Sequence, residues 1–138
     1  MSTNLQSSRA IGVGRVLIAV YAILALAATA RSVFQLVTKF DVAPIAYALS
    51  ALAGIIYIVA TVALIKPGVA WYRVAWVAIT IELAGVLAVG TLSLLRPDLL
   101  PADTVWSYFG RGYLFIPLVL PVLGLVWLSK NRPAREDA

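Results

Sequence analysis

The chain has 138 residues, 62% of them hydrophobic and only 12% charged, with a mean hydropathy of +0.97. A soluble domain carries about twice that charge fraction, so the composition excludes one and points to a single all-α membrane domain. With no Cys and no His, disulfides, thiol nucleophiles, imidazole bases and most zinc or haem sites are excluded too.

The net charge of +5 comes from basic residues that flank apolar runs, so it reports membrane orientation and not nucleic-acid binding. The lipid bilayer is the expected partner. No catalytic residue, metal or cofactor is expected.

Four membrane helices are expected, over residues 11–37, 44–65, 70–95 and 112–129. Residues 1–10 are small and polar. The opening of the first span has the look of a secretory signal, with Arg9 and Arg15 ahead of an apolar run and Ala28-Thr29-Ala30 as a small-x-small site. The apolar character resumes beyond Arg31, which favours a retained helix. Asp41 is a candidate cap for the second helix, and Pro44 suits its first turn. Lys66-Pro67-Gly68 closes that helix. Between the third and fourth spans, Asp103 or Thr104 can cap a short interfacial segment over 103–109 carrying Val105, Trp106 and Phe109. Pro117 and Pro121 should bend the fourth span, and the tail from Ser129 is charged and solvated.

With the N-terminus inside, the inner side collects seven basic residues, Arg9, Arg15, Lys66, Arg73, Lys130, Arg132 and Arg135. The outer side collects four, Arg31, Lys39, Arg96 and Arg111. This bias places both termini in the cytoplasm of a multi-pass inner-membrane protein. Aromatic residues follow suit, with Trp71, Tyr72, Trp76 and Trp127 near the inner interface and Phe40, Tyr47, Trp106, Tyr108 and Phe109 near the outer one. The segments 39–44 and 96–101 share a basic-x-Asp-aliphatic-x-Pro pattern. It reads either as a duplicated hairpin or as the same stop-and-cap chemistry used twice.

The third span, WYRVAWVAITIELAGVLAVGTLSLL, carries Glu82 near its middle. A charge at that depth costs at least about 2.5 kcal/mol, so Glu82 must face protein or water and be partnered or protonated. Helical spacing gathers small and polar residues onto one face of each span. These are Ala27, Ala28, Arg31, Gln35 and Thr38 on the first helix, and Tyr47, Ser50, Gly54, Tyr57 and Thr61 on the second. The third contributes Ala75, Ala78, Glu82 and Gly85, and the fourth Tyr113, Pro117, Pro121 and Gly124. Such stripes are helix-packing faces, with Ala46, Ser50, Gly54, Ala78 and Gly85 as the close-approach positions, or else the lining of a ligand cavity.

Counted from the outer boundary at 1.5 Å per residue, Arg31 lies about 12 Å deep and Glu82 about 21 Å. An Arg31–Glu82 pair, direct or through Gln35, Tyr47, Tyr57 or water, would satisfy both groups. Snorkelling of Arg31 toward the outer headgroups is the alternative.

The stretches RVLIAVYAILALAATARS, APIAYALSALAGIIYIVATVAL, IELAGVLAVGTLSL and VWSYFGRGYLFIPLVLPVLGLVWL make the chain resemble small four-helix integral membrane proteins of high-GC Gram-positive bacteria. The resemblance covers most of the chain and implies an architecture, not an activity. The chain is also similar in length and helix number to the small multidrug resistance transporters. Their membrane glutamate lies in the first helix and this one in the third, so no residue role carries over.

The function expected from these features is a non-enzymatic bundle that self-associates or serves as an accessory subunit of a larger membrane complex. A proton-coupled transporter or channel using Glu82 is the alternative. A lipid-active enzyme would have to use Asp98 and Asp103, and two aspartates on an interfacial loop are ordinarily caps.

Overall fold

A computed structural model describes residues 2–38, 41, 43–100 and 103–132, with side chains from residue 11 onward. The described chain is all helical: α1 spans Ser2–Thr38, α2 Pro44–Ile65, α3 Val69–Leu95 and α4 Ile116–Lys130. Short 3-10 turns at Pro97–Leu99, Ser107–Phe109 and Arg111–Tyr113 join α3 to α4. Three helices are long and apolar enough to cross a membrane, or four if the bent pair Ser107–Tyr113 and Ile116–Lys130 forms one span. Helix is the required choice for such segments, because hydrocarbon offers no partner to an open backbone N–H or C=O.

The apolar spans Ile11–Thr38, Pro44–Ile65 and Val69–Leu95 lie close to those expected, although α1 itself begins at Ser2, within the polar leader. α2 begins at Pro44 in its first turn and ends before Lys66, and Gly68, at φ 102°, makes the corner into α3. Asp41 does not cap α2, since Ala43 holds the N-cap position and no side chain caps there. In the other half of the echo, Asp98 opens a 3-10 turn and binds Arg96 instead. Lys39, Phe40, Val42, Pro101 and Arg135, with the tail beyond Arg132, lie outside the described residues.

The core runs along one face of each helix. Leu17, Tyr21, Leu24 and Ala28 of α1 meet Ala53, Tyr57 and Ala60 of α2, and Ala75, Ile79 and Val86 of α3 complete the layer. The opposite faces carry large apolar side chains left open, such as Leu26, Val37 and Leu95. In a bilayer those faces meet lipid. α1 packs chiefly on α2, and Gly14, near the start of α1, lies against Trp127 near the end of α4.

Two expectations fail between α3 and α4. The segment 103–109 is not an interfacial helix: Val105 and Trp106 are buried in the core at 1% and 2% exposure. The fourth helix also starts later than residue 112, because Leu114 and Phe115 both adopt left-handed backbone (φ 59° and 60°) and turn the chain by 98°. Pro117 contributes, since its ring closes against Gly110, where φ is 84° and a Cβ would lie 2.7 Å from it. At 1.5 Å per residue the remaining 15-residue helix is about 22 Å long, short of a full hydrocarbon crossing. Residues 104–113 fill the missing part of that layer by re-entering the bundle.

Candidate functional site

Glu82 is fully buried, at 0% exposure, on the face of α3 that also carries Ala75, Ala78, Ile79 and Val86. Its Oε1 accepts a 2.7 Å hydrogen bond from the Tyr21 hydroxyl of α1. Its Oε2 is buried without a hydrogen-bond partner. Gly124 of α4 packs beside this contact: a Cβ there would stand 3.2 Å from Ile79 Cδ1, a tight approach, and 3.5 Å from the Tyr21 hydroxyl, an ordinary one.

The sequence-based Arg31–Glu82 pair is not formed. Arg31 Nη2 donates to the Asp103 main-chain carbonyl at 2.9 Å, at the far end of α1 from Tyr21. Among the described residues the one ion pair is the exposed Arg96–Asp98 bridge at 2.9 Å. The physical reason is length along the helix. Arg31 lies ten residues beyond Tyr21, about 15 Å, and the loop carbonyl satisfies its guanidinium nearer the membrane surface.

The other candidates divide into two groups. Tyr57 and Ser50 belong to the core around the re-entrant segment. The Tyr57 hydroxyl accepts from Trp106 Nε1 at 2.8 Å, and Ser50 Oγ accepts from the Val105 main-chain N–H at 3.2 Å. The Tyr57 ring lies 6.3 Å from the Tyr21 ring, which connects this group to Glu82. Tyr47 and Gln35 lie apart from it. Tyr47 packs with Ala43 and Ala46 against Leu36 and Leu100, and Gln35 Oε1 is buried without a hydrogen-bond partner.

The small residues have packing roles, though not all between helices. Gly54 receives α1, where a Cβ would meet Thr29 Oγ1 at 3.2 Å, and Ala46 is fully buried. Ala78 is buried beside α2. Gly85 packs on the re-entrant segment: a Cβ there would lie 2.6 Å from the Trp106 indole. Gly90 does the same for the Phe109 ring. These two notches in α3, with Ser93 Oγ accepting from the Tyr108 N–H at 3.3 Å, seat the segment on α3 as Ser50 and Tyr57 seat it on α2. Thr104 and Ser107 bond each other within the segment.

Buried side-chain polar contacts thus run from the end of the bundle that holds the α3–α4 connection to Glu82. Beneath Glu82 come Ala75, Ile79, Ala60 and Leu128, all buried and apolar. Thr61, one turn past Tyr57 on α2, bonds only to its own helix at the Tyr57 carbonyl (2.7 Å), and the Tyr72 hydroxyl donates to the Leu128 carbonyl at 2.6 Å near the opposite end. The larger hollows, of about 380 and 370 Å³, open on the periphery and are not lined by Glu82. Among the described residues no three His, Cys, Asp or Glu side chains gather as a metal site requires.

Sequence reasoning passed over Tyr21 and Trp106. Tyr21 is the only side chain with a polar atom between Val16 and Ala27, which was a usable signal. Trp106 offered none, because an aromatic residue in an outer connection reads as an interface anchor. No protein-family model, curated protein or solved structure matches the chain.

Proposed function

We propose that the protein is a non-enzymatic membrane bundle that works by assembly, as a homo-oligomer or as an accessory subunit of a larger membrane complex, with both termini in the cytoplasm. The observation that carries this reading is where the buried polar groups are used. Ser50, Tyr57 and Ser93 hold the re-entrant segment, Tyr21 holds Glu82, and an apolar layer follows below. A polar column closed at one end is an internal fastening, not a path across the membrane. Assembly then uses the lipid-facing sides, because the small-residue stripe of α2 is already occupied by α1.

The test is purification of the full chain in mild detergent, with mass measurement of what it carries, beside reconstitution into vesicles holding a pH-sensitive dye. An oligomer or a stoichiometric partner, with proton flux no greater than in protein-free vesicles, is the expected result. A lone monomer with flux above that background overturns it.

One observation favours a proton-coupled carrier. Glu82 Oε2 is buried with no protein donor, leaving an oxygen that a transported proton can occupy. Under that reading Glu82→Gln abolishes pH-driven uptake while leaving the fold intact.

A further inference from the structure

Three hollows meet on the outer face of α3, at the end of the bundle where α4 finishes. The first is a cup of about 310 Å³ lined by Val69, Tyr72, Arg73, Trp76 and Arg132. The second is a trough of about 380 Å³ between α2 and α3, which shares Arg73 with the cup and continues past Val77 and Ile81 against Ile55 and Val59. The third is a trough of about 260 Å³ that shares Trp76 with the cup and runs along Thr80 on the other side of the same Val77–Ile81 ridge. One basic, aromatic cup therefore opens into two apolar troughs separated by a ridge. From Arg73 to Ile81 is eight residues, about 12 Å toward the membrane interior.

Both guanidiniums at the cup are exposed, and among the described residues neither has a hydrogen bond or an ion pair. The described carboxylates are elsewhere: Glu82 is in the core, and Asp41, Asp98 and Asp103 lie at the other end of the bundle. Arginine binds phosphate through paired N–H donors, and tyrosine and tryptophan rings belong at the headgroup level. Basic pockets between membrane helices are suited to anionic headgroups.

We propose that this face holds one anionic diacyl phospholipid, with its phosphate between Arg73 and Arg132 and one acyl chain on each side of the Val77–Ile81 ridge. The occupant is fixed by two features together. The positive charge, unpaired among the described residues, selects an anionic headgroup, and the forked apolar troughs select two chains. A soluble phosphate compound would leave the troughs empty, and a zwitterionic lipid would bring a like charge beside the guanidiniums.

Native mass spectrometry of the full chain in mild detergent, titrated with phosphatidylglycerol or with phosphatidylcholine of the same chains, tests this. The wild type should retain one phosphatidylglycerol in preference to phosphatidylcholine. Arg73→Gln and Arg132→Gln should each weaken retention about fivefold, the scale of one basic residue at a membrane surface. Lys130→Gln removes the same charge outside the cup and should leave retention within about twofold of wild type. Val77→Trp, which places a bulky ring on the ridge shared by the two troughs without changing charge, should also weaken it, and glycerophosphoglycerol without chains should not compete. Because Arg132 follows the end of α4, its variant keeps the test decisive even if Arg73→Gln misfolds. Equal retention of the two lipids, an equal loss in Lys130→Gln, full retention in Val77→Trp, or competition by the free headgroup would each overturn the assignment.

Discussion

Tyr21 and Glu82 stand 61 positions apart in sequence and meet at 2.7 Å in the centre of the bundle. One is the lone polar side chain in a long apolar run of α1, and the other is the lone carboxylate of α3. Each solves the other's burial problem, because neither can reach water and each supplies what the other lacks. A hydroxyl donor meets a carboxyl acceptor, and no cation takes part.

Removing that donor should be felt. Tyr21→Phe leaves the Glu82 carboxyl without a hydrogen bond, so a loss of about 1–2 kcal/mol is expected. That exceeds the roughly 0.6 kcal/mol typical of an interhelical hydrogen bond in a membrane, because the acceptor finds no substitute. Combining Tyr21→Phe with Glu82→Leu should recover much of the loss, while Arg31→Leu should show no coupling to Glu82. Thermal denaturation of the single and double variants measures this, and strictly additive losses would refute the Tyr21–Glu82 linkage.

The seat of the re-entrant segment can be tested at a single glycine. A methyl group at Gly85 would lie 2.6 Å from the Trp106 indole, so Gly85→Ala should lift the segment from α3. Overpacking of this kind costs about 1–3 kcal/mol. The chain has no native cysteine, so Val105→Cys reports directly. It should resist an impermeant thiol reagent in the parent and react once Gly85→Ala is added. Equal labelling in both would place Val105 outside the core.

Gly54 separates packing within the chain from packing between chains. Its Cβ position faces Thr29 of α1, so Gly54→Leu should destabilise the fold by at least about 1–3 kcal/mol. The particle mass of the surviving folded fraction should be unchanged. A shift in oligomeric mass without loss of thermal stability would show that α2 is an intermolecular contact instead.

Arg96 and Asp98 form the exposed bridge that follows α3, and the Arg96 guanidinium holds the Asp98 carboxyl below the usual carboxylate range. A carboxyl lowered in the folded state stabilises the fold above its ordinary pKa, and the contribution fades as pH falls through the folded value. Both side chains are open to solvent, so salt screens the pair. Asp98→Asn should therefore leave the melting temperature unchanged at physiological ionic strength and neutral pH. A clear drop would mean that the turn at Pro97–Leu99 depends on the pair.

The proposed orientation rests on the basic residues, seven on the side of the termini against four on the other. On intact cells, Ser2→Cys and Ala138→Cys should be protected from an impermeant label, while Gly112→Cys should react. The reverse pattern would invert the protein in its membrane.

The helical architecture was legible from residues alone, because unbroken apolar runs of 20 or more leave the backbone one way to satisfy itself. Lys66-Pro67-Gly68 and Arg96-Pro97 ended α2 and α3 where such signals should, and the face through Tyr47, Ser50, Gly54 and Tyr57 is buried as its spacing implied. Glu82 announced itself by its cost. Its partner did not, since axial depth alone favoured an arginine, and only the packing of α1 beside α3 and α4 puts the Tyr21 hydroxyl next to the carboxyl. The fate of residues 104–113 was likewise closed to one-dimensional reading. Tyr108 and Phe109 within that segment, and Leu114 and Phe115 just after it, take a left-handed backbone that propensity argues against. That conformation persists where the notches at Gly85 and Gly90, with the hydrogen bonds from Trp106, Val105 and Tyr108, outweigh the local strain. Periodicity marked the inward faces of α2 and α3, but on α1 the buried face runs through Leu17, Tyr21, Leu24 and Ala28 while Thr38 is exposed, and the side-chain volumes of neighbouring helices decided which residues meet.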